Sequence, residues 1–179
     1  MNRLQKSFEI LVQAQQEFRQ ELSLFSNAQA AFRPDRGKWN ALQVLDHLIE
    51  LEKSVYLAAR TNLKSATMVD KVSPLAWVKF YLARFVMSTS RRFQMPAGMP
   101  EPQARKTLDA LRQDWLDMRE KWKKYIAEVG PEKLPLQAWR HPVFGPMTLG
   151  MAIELLAAHV RHHIHQLRRL RRHPDFPAD

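Results

Sequence analysis

The sequence predicts an all-α fold, a four-helix bundle with one extra short helix. Three observations carry this. Apolar residues return at helical spacing through several long stretches, clusters of proline and glycine separate those stretches, and no alternation of apolar and polar residues runs long enough for a sheet. No repeat period is visible. At 179 residues the chain suits one domain over 1–179 with a sizeable core.

Residues 3–31 carry Leu4, Phe8, Leu11, Val12, Phe18, Leu22 and Phe25 at mostly helical spacing, with no internal proline or glycine. They are expected to form one long first helix, ended by Pro34 and Gly37. Asn40 then offers an N-cap with Gln43 three residues on, a capping-box arrangement that opens a second helix over 41–64. Ser73-Pro74 starts the third apolar stretch, 74–92, and the proline-rich FQMPAGMPEP at 93–102 closes it. Residues 103–129 place Leu108, Leu111, Trp115, Met118, Trp122 and Ile126 on one stripe, and Gly130-Pro131 stops that helix. The next twenty residues, PEKLPLQAWRHPVFGPMTLG, hold four prolines and two glycines and read as an irregular connection with a short strand-like or turn element. Thr148 caps a last helix running to Arg172.

Composition narrows the function classes. Hydrophobic residues make up 45% and charged residues 26%, with five glycines, the balance of a globular chain. There is no cysteine, so any metal must be held by nitrogen and oxygen ligands and no disulfide framework exists. The N-terminus lacks the continuous apolar stretch of an export signal, and the most apolar window, PLAWVKFYLARFVM, is too short for a bilayer and is broken by Lys79 and Arg84. A cytoplasmic protein with no membrane span is expected. The formal charge of +10 suggests an anionic partner. Arg168, Arg169, Arg171 and Arg172, however, lie in the last turns of a helix, where the helix dipole favours cations, and no nucleic-acid motif accompanies them. No specific nucleic-acid binding is expected.

The segment HVRHHIHQL packs four of the chain's seven histidines into residues 159–165. On the last helix the buried stripe is marked by Leu149, Ala152, Ile153, Leu156, Val160, Leu167 and Leu170. His159 and His163 fall in or beside it, His162 at its margin as a surface residue, and His165 on the opposite side with Arg161, Arg168 and Arg172. Residues four apart stack one turn above another, so two imidazoles can converge on one ion. The same spacing serves equally for two satisfied core histidines. His47, at the edge of the arc formed by Val44, Leu45, Leu48, Leu51 and Val55, is the one histidine in the first 140 residues and could supply a third nitrogen. Three neutral imidazoles suit zinc or nickel, with iron, copper and manganese as further candidates, and leave coordination positions for water or a small-molecule substrate. Glu50 and Gln166 stand one turn from these histidines, where ordinary solvated residues are the simpler reading. His141 stands in the loop before the last helix, at the mouth of any such site or as a hinge for the turn.

These residues carry a family resemblance. A helix-start Trp39 to His47-Leu48, followed by the loop HPVFGPMT and a helix with HxxxHxxQ, resembles the DinB/YfiT-like superfamily, and FQMPAGMPEP resembles a proline-bearing linker common in it. The resemblance covers nearly the whole chain and places the three family histidines at His47, His159 and His163. It implies an up-down-down-up four-helix bundle, a divalent metal held by that triad and frequently a homodimer. It also implies relatives that act as transferases or isomerases dependent on low-molecular-weight thiols, alongside many members with no established activity; for this chain a metal-dependent enzyme of hydrolase or thiol-dependent transferase type is expected. Trp77, Phe80, Tyr81, Phe85 and Trp122 exceed what one small core needs and could furnish the dimer face. No paired-carboxylate or Ser-His-Asp signature stands out, so catalysis must lean on the ion, with His162 as a possible proton carrier. The alternative is a non-catalytic bundle, metal-stapled or metal-free, that serves as an interaction or stress-response protein.

Overall fold

The computed structural model describes residues 2–35, 37–64, 70–89 and 101–178. Among the described residues there are six α-helices: α1 (Arg3–Leu22), α2 (Asn27–Ala31), α3 (Ala41–Asn62), α4 (Pro74–Ser88), α5 (Leu108–Glu128) and α6 (Leu149–Arg171). A 3-10 turn, Pro131–Lys133, and a two-stranded antiparallel hairpin, β1 (Trp139–His141) with β2 (Gly145–Met147), lie between α5 and α6.

Cross-helix polar contacts fix the direction of each helix. Ser7 meets Glu154, Glu17 meets Arg161, and Glu21 meets Arg168 and Arg171, so α1 and α6 run parallel. Glu52 meets Trp115 and Arg119 while the Ala59 carbonyl meets Tyr125, so α3 and α5 also run parallel. His47 lies against His159, and Asn62 reaches the Ala138 carbonyl ahead of α6, which sets α3 antiparallel to α6. The order α1, α3, α5, α6 is therefore up-down-down-up. Parallel neighbours need a long crossover, and here it contains α4, the extra helix, which packs on α6.

The first helix is shorter than its apolar pattern predicts. It ends at Leu22, with the Ser23 N–H bonded to the Arg19 carbonyl, and Ser26 opens α2 through a capping box with Gln29. The break lets Phe25 and Phe32 pack on Phe176 of the C-terminal tail, and Gln29 donates to the Pro177 carbonyl. A continuous helix would carry those rings away from the tail. Helix α5 starts at Leu108 under a Thr107 cap, five residues later than the pattern suggests. The preceding chain is held against α3, where Gln43 donates to Glu101 and the Pro102 carbonyl, and Asp46 accepts from the N–H of Ala104, whose φ is +45. The caps predicted at Asn40, Ser73 and Thr148 are present. The third stretch ends as a helix at Ser88, and most of the predicted linker, along with 90–92, lies outside the described residues.

The irregular connection is more ordered than its composition suggests. Residues 70–72 bond to the chain at 135–137, and the Ala138 N–H donates to the Met147 carbonyl, so the start of the crossover and the hairpin are tied together. Gly145, at φ +83, takes a left-handed conformation that a Cβ would strain, which allows the three-residue turn between paired His141 and Gly145.

Between the helices lies a core that includes Leu11, Phe18, Leu45, Trp122, Ile153 and Leu167. Inside it sits a buried ion pair: Glu52 accepts from Arg119, from Gln15 Nε2 at 2.8 Å and from Trp115 Nε1 at 2.7 Å, linking α1, α3 and α5. Burial pushes the Glu52 carboxyl above its ordinary range and lowers Arg119, each against the pull of the other's charge. The Trp122 indole N–H faces the same carboxylate without closing a hydrogen bond.

The apolar excess expected at Trp77, Phe80, Tyr81, Phe85 and Trp122 is only partly outward. Phe80 and Trp122 are buried, at 1% and 0% exposure, and cannot serve a surface. Tyr81 and Phe85 are exposed and are joined by Leu75, Val78 and Leu82. Positions 75, 78, 82 and 85 repeat at helical spacing, so α4 buries one stripe on the bundle and presents another to solvent.

Candidate metal centre

His47 on α3 and His159 and His163 on α6 converge. One ring nitrogen of each lies within 4.8 Å of those of the other two. His159 Nε2 is 3.1 Å from His47 Nε2 and 3.0 Å from His163 Nε2. Nitrogens bound at ~2.0–2.1 Å to one tetrahedral ion would stand about 3.3–3.4 Å apart, close to this spacing. The antiparallel crossing of α3 and α6 brings His47 in, and the i,i+4 spacing supplies the other two.

Proton bookkeeping shows why the donor set fits a cation. His163 Nδ1–H donates to Gln166 Oε1 at 2.8 Å, so His163 Nε2 presents a lone pair. His159 Nε2 has two imidazole neighbours but at most one proton to offer them. At least one of the two short contacts is then left without a well-directed hydrogen bond, and an electron-pair acceptor among the three nitrogens would satisfy all of them. Burial holds the rings neutral: it lowers His47 to about 4, His163 to about 3 and His159 well below its ordinary value, the last two also through neighbouring histidines. Neutral imidazole is the form that binds metal.

The other sequence-selected residues divide. Gln166 belongs to the site through its bond to His163, whereas Glu50 is an exposed partner of Lys53 and has no part in it. His162, expected at the surface, is buried at 8% exposure; its Nδ1–H donates to the Thr89 carbonyl at 3.1 Å because α4 covers that side of α6. The face assigned to His165, Arg161 and Arg168 is not open solvent either. Arg161 and Arg168 pair with Glu17 and Glu21, since α1 runs along that flank, and His165 is half-buried. Much of the basic tail is thus spent on α1 rather than on an anionic partner.

A cavity of about 810 Å³ opens beside the triad. Leu51, Val86, Met87, Leu155 and Leu156 make much of its wall, and His141, Phe144 and Trp139 of the hairpin region frame it. His141 therefore does stand at the cavity. Two residues that the sequence reading named only in the family motif and in the basic helix end, Trp39 and Arg169, also stand at the site. Trp39 lies 5.0 Å from the His47 ring and nearly parallel to His163 at 6.4 Å, closing one side of the triad. Arg169 lines the cavity, seven residues beyond His162 and three beyond Gln166 on one face of α6. Its helical spacing from the histidines was the available signal.

Fold and site together define a helical-bundle protein with a three-histidine cluster facing a largely apolar cavity. The chain belongs to the DinB superfamily, whose sequence model matches residues 10–167. Among solved structures it is similar to YfiT from Bacillus subtilis, with a TM-score of 0.62 at 17% identity over 94% of this chain and 86% of that one. YfiT is described as "a probable metal-dependent hydrolase with an unusual four-helix bundle topology". No curated protein matches. Among the described residues, no helix is long and apolar enough to cross a membrane.

Proposed function

We propose that this chain is a cytoplasmic metal-dependent enzyme, of hydrolase or thiol-dependent transferase type, whose divalent ion is held by His47, His159 and His163. The convergence of three neutral imidazole nitrogens at the edge of a roomy cavity carries this reading. Zinc and nickel suit the donor set best, followed by iron, copper and manganese. When bound, such an ion acts as a Lewis acid and makes a water or low-molecular-weight thiol nucleophilic near neutral pH. The chain's own residues do the rest. Gln166 holds the His163 tautomer, Trp39 and the apolar walls exclude bulk water, and His162 is placed to hold a proton at its Nε2 while its Nδ1–H stays on the Thr89 carbonyl. A non-catalytic staple would account for the triad but has no need of the cavity.

Metal removal provides the test. Because an ion that binds only the native state stabilises it by mass action, loading to 100 times its dissociation constant is expected to add about 2.7 kcal/mol. Thermal unfolding of tag-free protein with and without chelator reads this directly. Equal unfolding temperatures, together with no metal by elemental analysis, would refute the metal reading.

The exposed stripe Leu75, Val78, Leu82 and Phe85 supports a homodimer packed through α4. Light scattering at micromolar concentration is expected to give twice the chain mass, and Leu82→Lys with Phe85→Glu to give a monomer. A monomeric parent protein would remove the proposal.

A further inference from the structure

We infer that His141 is a substrate-positioning residue of the cavity, whose Nε2–H receives the oxygen of an uncharged carbonyl group on a molecule with an apolar body. This deepens the reading of the cavity as a substrate site and rests on it, but it does not depend on the metal.

His141 is held in one tautomer by its own turn. Its Nδ1 accepts from the Val143 N–H at 3.0 Å and from the Phe144 N–H at 3.2 Å, so the ring proton belongs on Nε2. A second proton, at Nδ1, would break both bonds, and burial also favours the neutral ring. Trp139 at 5.3 Å and Phe144 at 4.7 Å pack against the ring and fix its plane. Among the described residues nothing accepts from Nε2–H, although the ring is only half-buried and lines the cavity. The result is a donor without charge, held by its surroundings, on the wall of the cavity that also contains the triad.

The surroundings select the kind of acceptor. Leu51, Val86, Leu155 and Leu156 line the same cavity and suit a hydrocarbon or aromatic body. A carboxylate or phosphate against such walls would need a countercharge as well as a hydrogen bond. The side chains nearby do not offer one. Arg169 is already engaged within the protein, and Asp35 and Lys38 stand exposed on one turn with opposite signs. An ammonium group would set donor against donor. A carbonyl oxygen needs one N–H and no charge, which is what His141 presents. His141 is within electrostatic reach of His159, so an oxygen held at Nε2 lies in the neighbourhood of the triad.

The test uses the full chain, chelator-treated and zinc-loaded, with benzylacetone and the primary amine of the same skeleton as probes. Calorimetric titration is expected to show the ketone binding about tenfold or more tighter than the ammonium, because the latter leaves the His141 donor unpaired. In protein isotope-labelled at its histidine nitrogens, magnetic resonance should find His141 protonated at Nε2 and not at Nδ1. Its Nε2–H proton should move downfield when benzylacetone is added and stay in place with the amine. His141→Asn keeps an acceptor for the two turn amides on a shorter side chain that withdraws the donor from the cavity. It should abolish the preference with an unchanged unfolding temperature. A preference that survives chelation and is lost in His141→Asn places the oxygen on His141, whatever metal analysis says of the triad. A preference that disappears on chelation but persists in zinc-loaded His141→Asn places the oxygen on the ion, and the proposal fails while the metal reading stands. A ring protonated at Nδ1, an Nε2–H signal indifferent to bound ketone, equal binding of ketone and ammonium, or no binding of either at millimolar concentration also overturns it.

Discussion

His159→Ala is expected to leave the protein without bound metal. His159 is the central member of the triad, with one imidazole nitrogen 3.1 Å away on α3 and another 3.0 Å away on its own helix, so its loss separates the remaining two and leaves an incomplete shell. Gln166→Leu should weaken the metal by roughly 10–100-fold, the usual effect of removing the group that orients a ligating histidine, and alanine at a ligand should cost more than that. His47→Ala and His163→Ala are expected to behave like His159→Ala. His165→Ala is the control, because that ring is not part of the cluster. Elemental analysis of tag-free protein after dialysis, followed by zinc and nickel titration, reads all five. Stoichiometric metal in His159→Ala would show that the ion, if any, is held elsewhere.

The second large effect concerns stability. Arg119→Met is expected to destabilise the fold by about 3–5 kcal/mol, because it strands a carboxylate in the core without its countercharge. Glu52 would retain Gln15 and Trp115 as donors, but two neutral hydrogen bonds do not replace a guanidinium in an apolar interior. Burial already raises this carboxyl, and loss of Arg119 would raise it further. A folded-state value above the unfolded one means that the native state takes up a proton. The group's contribution is then fully present below the unfolded value and is lost as pH rises through the folded one. The variant should therefore recover stability as the pH falls from neutral toward the ordinary carboxylate range, a trend weaker in the parent. Urea unfolding at several pH values measures both. A loss under 1 kcal/mol, flat with pH, would mean that the pair is not buried as described.

Particular elements show how far local pattern reaches. Trp115, Met118, Trp122 and Ile126 face inward where their helical spacing places them, because a helix fixes the angular position of every side chain. Asn40, Ser73 and Thr148 cap where they were expected, since a cap is a contact over three residues. The break at Ser23 was not legible from hydropathy; the signal available was Ser26-x-x-Gln29, a capping box like that at Asn40, and the turn it allows brings Phe25 onto Phe176 of the tail. The Glu52–Arg119 pair left a fainter trace. Leu48, Glu52, Val55 and Ala59 share one face, and an acid on such a face signals a buried partner whose identity only the α3–α5 packing supplies.

The sequence by itself determined the helices, most of their caps, the inward turn of His159 and His163 and the absence of any thiolate ligand, all properties of residue type and short-range spacing. Tertiary structure decided the rest. The meeting of His47 with the α6 pair depends on an antiparallel crossing between helices more than a hundred residues apart in sequence. The burial of His162 depends on α4 lying over α6, and the division of the arginines between Glu17, Glu21 and the cavity depends on α1 running parallel beside them. Helical periodicity determines which way a side chain points from its own axis; what it meets there is set by the packing of the other helices.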